Sequence, residues 1–383
     1  MLLLEKKNKM NAAVFYGPGN IVNEEVYYGY NDKKGGVSLR VNACAVCGYD
    51  ARVFRNGHQK VTPPVILGHE ICGQIDKDVL VTNTANDTRA HTTIKAGSRI
   101  AVSPIIPCIN CKYCYNKKYN LCINLKEIGS SIDGGFAEYV RIPEEILKIG
   151  GIVSVPNNLS DEEAALLEPL ACCLNGFSHI RRPIRSKTTV MVIGDGPIGL
   201  LHLQIFKRLY NARTIVVGRI PQRIEIAKSL GADTTITLSS VDTGDDDKSN
   251  KNNIHGTNNA IKDILDFGNG VGVNVIIIAT SNPAALGFAL RTAGKCSIIN
   301  IFAGLRSSDL ISLDPNWLHY NQISITGSFS STPNSLQQAV SLASRGIINL
   351  SRMITHRYSL TEIEEAIAAT EEYHGLRAVI NDF

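Results

Sequence analysis

The apolar run Thr189-Val190-Met191-Val192-Ile193 passes without a break into Gly194-Asp195-Gly196-Pro197-Ile198-Gly199 and then into an apolar helical stretch over 197–210. This feature constrains the fold more than any other, because it demands a strand that ends in a tight turn from which a helix starts. The glycines permit the turn and a close approach of a ligand to the backbone. The helix start offers free N–H groups and a positive dipole end, which suit the pyrophosphate of a dinucleotide. The same rhythm continues downstream, with strands expected at 214–217, 234–238, 273–279 and 296–301 and helices at 221–230 and 283–292. Such βαβ punctuation predicts a doubly wound parallel sheet, an α/β domain over 176–325.

Upstream the pattern is different. From residue 12 to about 174 the chain is broken by Gly, Pro and Asn into short β-branched runs at 37–41, 65–67, 99–102 and 136–142, which predicts a mainly β domain. The first strand is expected at 12–16, leaving residues 1–10 as a frayed tail in which Met10 is a candidate start. Helices near 335–344 and 361–370 are expected to pack back on this domain, so that 1–175 and 326–383 form one unit. A length of 383 residues fits two domains, and a cleft between them is the natural place for a ligand. The polar stretches 83–95 and 242–259 read as surface insertion loops.

Charge narrows the partners. The 39 basic and 35 acidic residues are scattered and sum to +4, without the stripe or arm that tracks a phosphate backbone, so nucleic acid is excluded as a partner. The N-terminus, three leucines followed by lysines, is neither a signal peptide nor a spanning segment, which excludes a membrane and predicts a cytoplasmic protein. Ten cysteines in a long chain without an export signal read as metal ligands and buried thiols rather than disulfides.

Their spacing supports that reading. Cys108, Cys111, Cys114 and Cys122 form C-x2-C-x2-C-x7-C, close enough for four thiolates to surround one Zn²⁺ in a lobe over about 105–125. Four soft ligands leave no open position, so this site is expected to be structural; an iron–sulfur cluster is the alternative. A second, mixed set is offered by Cys47 in Cys47-Gly48-Tyr49-Asp50 and by His69-Glu70. One sulfur, one nitrogen and one carboxylate are a catalytic zinc's ligands, with a fourth position open to water or an alcohol oxygen. Glu168, an acid after an apolar run, is expected either to bind this metal or to hold a water on it. Asp50 is expected to accept a hydrogen bond from His69 and orient its ring. The set therefore calls for two zinc ions per chain.

At the end of the second strand of the α/β domain an acid would hold the ribose 2′-OH of NAD. The chain reads Val217-Gly218-Arg219-Ile220-Pro221-Gln222-Arg223 instead. Gly218 removes the repelling carboxylate and Arg219 and Arg223 could clamp a 2′-phosphate, so NADP is favoured over NAD.

Taken together, these residues resemble the zinc-containing medium-chain dehydrogenases, in particular the sorbitol, polyol and threonine dehydrogenase branch. The resemblance covers nearly the whole chain and includes Gly134-Gly135-Phe136-Ala137-Glu138-Tyr139 and Leu230-Gly231-Ala232-Asp233. It implies a GroES-like catalytic domain, a Rossmann domain, an active site in the cleft, and a homodimer or homotetramer. It implies that Cys47, His69 and Glu70 hold the catalytic zinc, that Glu168 exchanges with water on it, and that Phe302, Ala303, Ser328 and Phe329 line the nicotinamide end. It further implies hydride transfer between a nicotinamide cofactor and a small-molecule alcohol or its carbonyl partner. One departure stands out: relatives carry Ser or Thr two residues after the zinc cysteine, where this chain has Tyr49, and Arg52 stands where some carry His. The proton relay then falls to Tyr49 or to Glu168 with a water; His58 is a candidate further participant, with a structural or surface role as its alternative. The rival readings are an NADPH-dependent aldehyde reductase and a zinc- and dinucleotide-binding protein or redox sensor without turnover.

Overall fold

The computed structural model describes residues 8–28, 35–82, 91–238, 253–305, 312–372 and 375–383. The chain divides into two compact units, Met1–Cys172 with Ser330–Phe383, and Cys173–Phe329.

The first unit is built on a mixed sheet whose central strand, Val37–Ala45, is buried over most of its length. Glu70–Ile75 pairs antiparallel with it, setting Glu70 opposite Ala45. The C-terminal strand Arg377–Asp382 also pairs with it, setting Val379 opposite Ala45. The end of the chain therefore completes the sheet begun near its start. Three elements thus converge where the central strand ends, and the next residues, Val46 and Cys47, lead into the helix Gly48–Asn56. A core that includes Phe15, Leu39, Leu67, Ile71, Phe136 and Ile142 underlies this corner. The helices Pro333–Ser344 and Ile363–Glu371 belong to the same unit.

The second unit is the doubly wound sheet expected from the sequence. Six parallel strands run in the spatial order Thr234–Thr237, Arg213–Gly218, Thr189–Ile193, Val273–Ile278, Ala293–Ile301, Ser324–Gly327. Met191, Ile193, Ile215, Val217, Ile276 and Ile278 face one apolar layer, and Val190, Val192, Val275 and Ile277 face another. Alternate residues of every central strand are covered, which is why these strands read as unbroken apolar runs.

Some boundaries differ from those read in the sequence. The first strand is Asn8–Gly17, not 12–16, because it pairs along its length with Asn20–Tyr28; residues 1–7 lie outside the described ones. Within the first expected insertion loop, His91–Ile94 is a strand paired with Val79–Thr82, and the helix Asn253–Phe267 begins inside the second, 242–259. Residues 83–90 and 242–252 lie outside the described residues. A polar composition concealed the strand and the first turns of the helix, whose later residues Ala260, Ile261 and Ile264 are core; His91–Ile94 pairs at a surface, where only Ile94 is buried.

Candidate active site

The register just described brings Cys47, His69 and Glu70 together, with one ligand atom from each within 4.8 Å of the others. Cys47 sits at the N-cap of the helix Gly48–Asn56 and its N–H donates to Asp50 Oδ2 at 2.9 Å. The other oxygen of Asp50, a fully buried residue, lies 3.3 Å from His69 Nδ1, an ion-pair contact rather than a well-aligned hydrogen bond. Burial opposes a thiolate at Cys47, but the hydrogen bond from His69 and the charges of His69 and Arg377 outweigh it and bring the thiol down to about 7. Burial pushes the Glu70 carboxyl well above its ordinary range, against the pull of Arg377. Arg377 donates to Glu70 Oε1 at 2.8 Å and to the Val46 carbonyl at 2.9 Å, and this guanidinium lets a carboxylate stand at such depth. Glu70 Oε2 is buried with no hydrogen bond. A thiol poised to ionise at neutral pH and an orphaned buried carboxylate oxygen fit a divalent cation.

Glu168 stands outside this three-residue group. It is buried, its Oε1 accepts from Cys172 Sγ at 3.1 Å and Ser331 Oγ at 3.3 Å, and its charge is felt by Glu70 and Arg377. Tyr49 packs edge-on against His69, with ring centroids 5.8 Å apart. Its hydroxyl lies 3.3 Å from Nδ1 of the exposed His58. Burial, and then the charge of Glu127, push the Tyr49 phenol up to about 12.

The second group comprises Cys108, Cys111, Cys114 and Cys122, whose sulfurs all lie within 4.8 Å of one another. These cysteines, with Tyr113, Tyr119 and Leu125, are the lobe's own apolar cluster. The Ile123 N–H draws the Cys111 thiol downward, toward the thiolate that a metal takes. A segment whose core is four sulfurs fits a structural metal.

In the second unit the loop after Thr189–Ile193 has the form a pyrophosphate needs. Gly194 takes φ +121°, and a Cβ on Gly199 would lie 1.9 Å from the Gly194 carbonyl oxygen. Gly196 caps the helix Pro197–Tyr210, with Pro197 and Ile198 in its first turn, and no side chain caps the free N–H groups. Phe302 and Ala303 follow the strand Ala293–Ile301, and Ser328 and Phe329 follow Ser324–Gly327. All these positions lie at the carboxyl edge of the parallel sheet, the edge where such sheets bind ligands. Arg219 is exposed, whereas Arg223 is only 4% exposed, with its guanidinium beside Gly196. The two arginines expected to clamp a 2′-phosphate thus differ in exposure.

Two residues of the sites do not stand out in the sequence. Arg377 shows there only as a lone charge in the apolar run Leu376-Arg377-Ala378-Val379-Ile380. Asp195 occupies a variable position of the glycine motif, yet its carboxylate accepts from the backbone of Arg219 and Ile220.

Residues 33–151 match the family described as the alcohol dehydrogenase GroES-like domain, and residues 197–345 match the zinc-binding dehydrogenase family. The D-arabitol-phosphate dehydrogenase of Enterococcus avium is 32% identical over 90% of this chain and 89% of its own length. The chain belongs to the zinc-type medium-chain dehydrogenases. Solved structures of similar form support the assignment of this dehydrogenase. A protein described as a zinc-binding dehydrogenase from Sinorhizobium meliloti 1021, bound to NADP, has 27% identity and a TM-score of 0.78 over 98% of this chain and 99% of its own. An alcohol dehydrogenase of Escherichia coli CFT073 complexed with NADH has 25% identity and a TM-score of 0.79 over 97% and 99%. The mainly β unit of this dehydrogenase is its GroES-like domain and the parallel-sheet unit its Rossmann domain.

Proposed function

We propose that this oxidoreductase moves a hydride reversibly between a nicotinamide dinucleotide and the carbinol carbon of an alcohol or polyol. The single observation that carries the reading is the Cys47, His69 and Glu70 group, three unlike donors gathered at one point with a buried carboxylate oxygen left unpaired. A zinc ion held there by these residues would supply a Lewis acid for the substrate oxygen, and the nicotinamide a hydride acceptor. Asp50 holds the His69 ring, and Arg377 neutralises Glu70. Tyr49, still protonated at neutral pH, offers a hydroxyl between the site and His58, whose exposed ring can pass a proton to water. The four-cysteine lobe takes the second zinc of the chain. The arabitol-phosphate dehydrogenase among the relatives supports a polyol as the substrate class. A dimer or tetramer, as the family resemblance implies, belongs to the same reading, and ten cysteines, none of them in a disulfide, suit a reducing cytoplasm. Among the described residues no helix is long and apolar enough to cross a membrane. The preference for NADP drawn from Gly218, Arg219 and Arg223 rests on charge alone, and the position of Asp195 opposes it.

The test is a zinc count on the purified protein, with absorbance at 340 nm followed over polyols, polyol phosphates, alcohols and aldehydes with both nicotinamide cofactors. Two zinc ions per chain and turnover, abolished in a folded Cys47→Ala variant that retains one zinc, support the reading. One zinc per chain and no turnover on any of these would replace it with the binding-protein alternative.

A further inference from the structure

We infer that Asp195 selects the cofactor, admitting a dinucleotide with a free ribose 2′-hydroxyl and rejecting one with a 2′-phosphate. The inference rests on the dinucleotide reading of the second unit and runs against the cofactor preference drawn from sequence.

Gly218 ends the second strand of the sheet, where a residue with a carboxylate would mark NAD. Its missing side chain is not open space. A Cβ built on Gly218 would lie 2.5 Å from Asp195 Cβ, 2.6 Å from its Cγ and 2.5 Å from its Oδ2. The carboxylate thus stands where the side chain of residue 218 would begin. Strand Arg213–Gly218 lies directly beside Thr189–Ile193, so the loop that follows Ile193 can reach across the strand end. Gly218 is the residue that lets Asp195 in, and the acid absent from position 218 is supplied from position 195.

Its hydrogen bonds bear on a 2′-phosphate in two ways. Asp195 Oδ2 accepts from the N–H of Arg219 and the N–H of Ile220, both at 2.8 Å. Those N–H groups lie at the start of the helix Pro221–Ser229, with Ile220 as its N-cap and no side chain of its own bonding there. An anion is favoured at such a helix start, and the protein's own carboxylate already takes that role. A 2′-phosphate would have to displace Asp195 or stand against its charge. The second oxygen, Oδ1, accepts from none of the described residues, which leaves a carboxylate oxygen for a hydroxyl donor. Arg223 is only 4% exposed, with its guanidinium beside Gly196, and Arg219 is an exposed side chain whose charge water and salt screen.

The test is direct binding of NADH and NADPH to the zinc-loaded protein by isothermal titration calorimetry, for the natural chain, Asp195→Asn and Asp195→Ala. Asparagine keeps an oxygen for both N–H groups and removes only the charge; alanine empties the place. Thermal unfolding of each variant reports whether the fold is kept. The expected result is that NADPH binds the natural protein roughly tenfold to hundredfold more weakly than NADH, as a like charge set against a phosphate would have it. Asp195→Asn narrows that ratio about tenfold, and Asp195→Ala narrows it at least as far. Equal or tighter binding of NADPH to the natural protein overturns the inference. So does a preference for NADH that neither folded variant changes, since the selection would then lie elsewhere. If neither nucleotide binds the natural protein, the dinucleotide reading itself fails and this inference with it, an outcome distinct from reversed selectivity.

Discussion

Replacing Arg377 by methionine should destabilise the first unit far more than the loss of an exposed ion pair would. The Arg377 and Glu70 side chains are 4% and 1% exposed and 2.8 Å apart. Methionine fills much of the volume but leaves Glu70 without its counter-charge and the Val46 carbonyl without its donor. Breaking a buried pair from one side costs about 3–5 kcal/mol, because the carboxylate keeps its burial and loses its guanidinium donor. With a urea slope of about 3 kcal/mol/M, the unfolding midpoint should fall by about 1–1.7 M. The natural internal control is Arg357, which forms a two-pronged pair with Glu162 at 2.9 and 2.7 Å. There the side chains are 55% and 18% exposed, so Arg357→Met should cost no more than about 1 kcal/mol. Urea titrations followed by circular dichroism, with released zinc measured in parallel, would place the loss in the unit that carries Cys47. Equal midpoints for the two variants would refute the premise that burial, rather than pair geometry, sets the energy.

Three further outcomes are expected. Gly199→Ala should weaken nucleotide binding and lower the unfolding temperature, because its Cβ would meet the Gly194 carbonyl oxygen at 1.9 Å; overpacking of this kind costs about 1–3 kcal/mol or more, and an unchanged melting curve would show that the loop yields freely. Cys111→Ser should lower the zinc content by one ion per chain and expose the 105–125 lobe to proteolysis while leaving NADH binding intact; two zinc ions retained by the folded variant would rule out the lobe as a metal site. Burial raises the Asp233 carboxyl, but Lys207 and the N–H and hydroxyl of Thr214 outweigh it and hold Asp233 below its ordinary 3.8. Its contribution is therefore complete above that pH and is lost as pH falls through the lower folded value. The melting-temperature gap between the natural protein and Asp233→Asn should be present at pH 7 and shrink as pH falls below 3.8; a gap that does not change with pH across that range would contradict this.

The relation between sequence and structure differs from one feature to the next. The nucleotide loop is legible because strand, turn and helix are contiguous, and each glycine answers a local steric demand that spacing alone expresses. The cysteine lobe is legible for the same reason, since 15 residues from Cys108 to Cys122 carry all four sulfurs. Cys47 and His69-Glu70 can be named as donors, but their meeting depends on the pairing of Glu70 with Ala45. The strand His91–Ile94, three of whose four residues are exposed, and the start of the helix Asn253–Phe267 are hidden from a sequence reading, because polar stretches give no apolar period to read.

Sequence by itself determined what is encoded over short separations: the class of each domain, the candidate metal-ligand sets, and the family. Only the tertiary structure decided which distant groups share a charge. Arg377 reaches Glu70 across 307 positions of chain because the strand Arg377–Asp382 pairs with the central strand Val37–Ala45. Asp195 fills the space beside Gly218 because two parallel strands end side by side. The physical reason is the same in both cases. A buried carboxylate must find its donors wherever the folded backbone brings them, and chain separation carries no record of that distance.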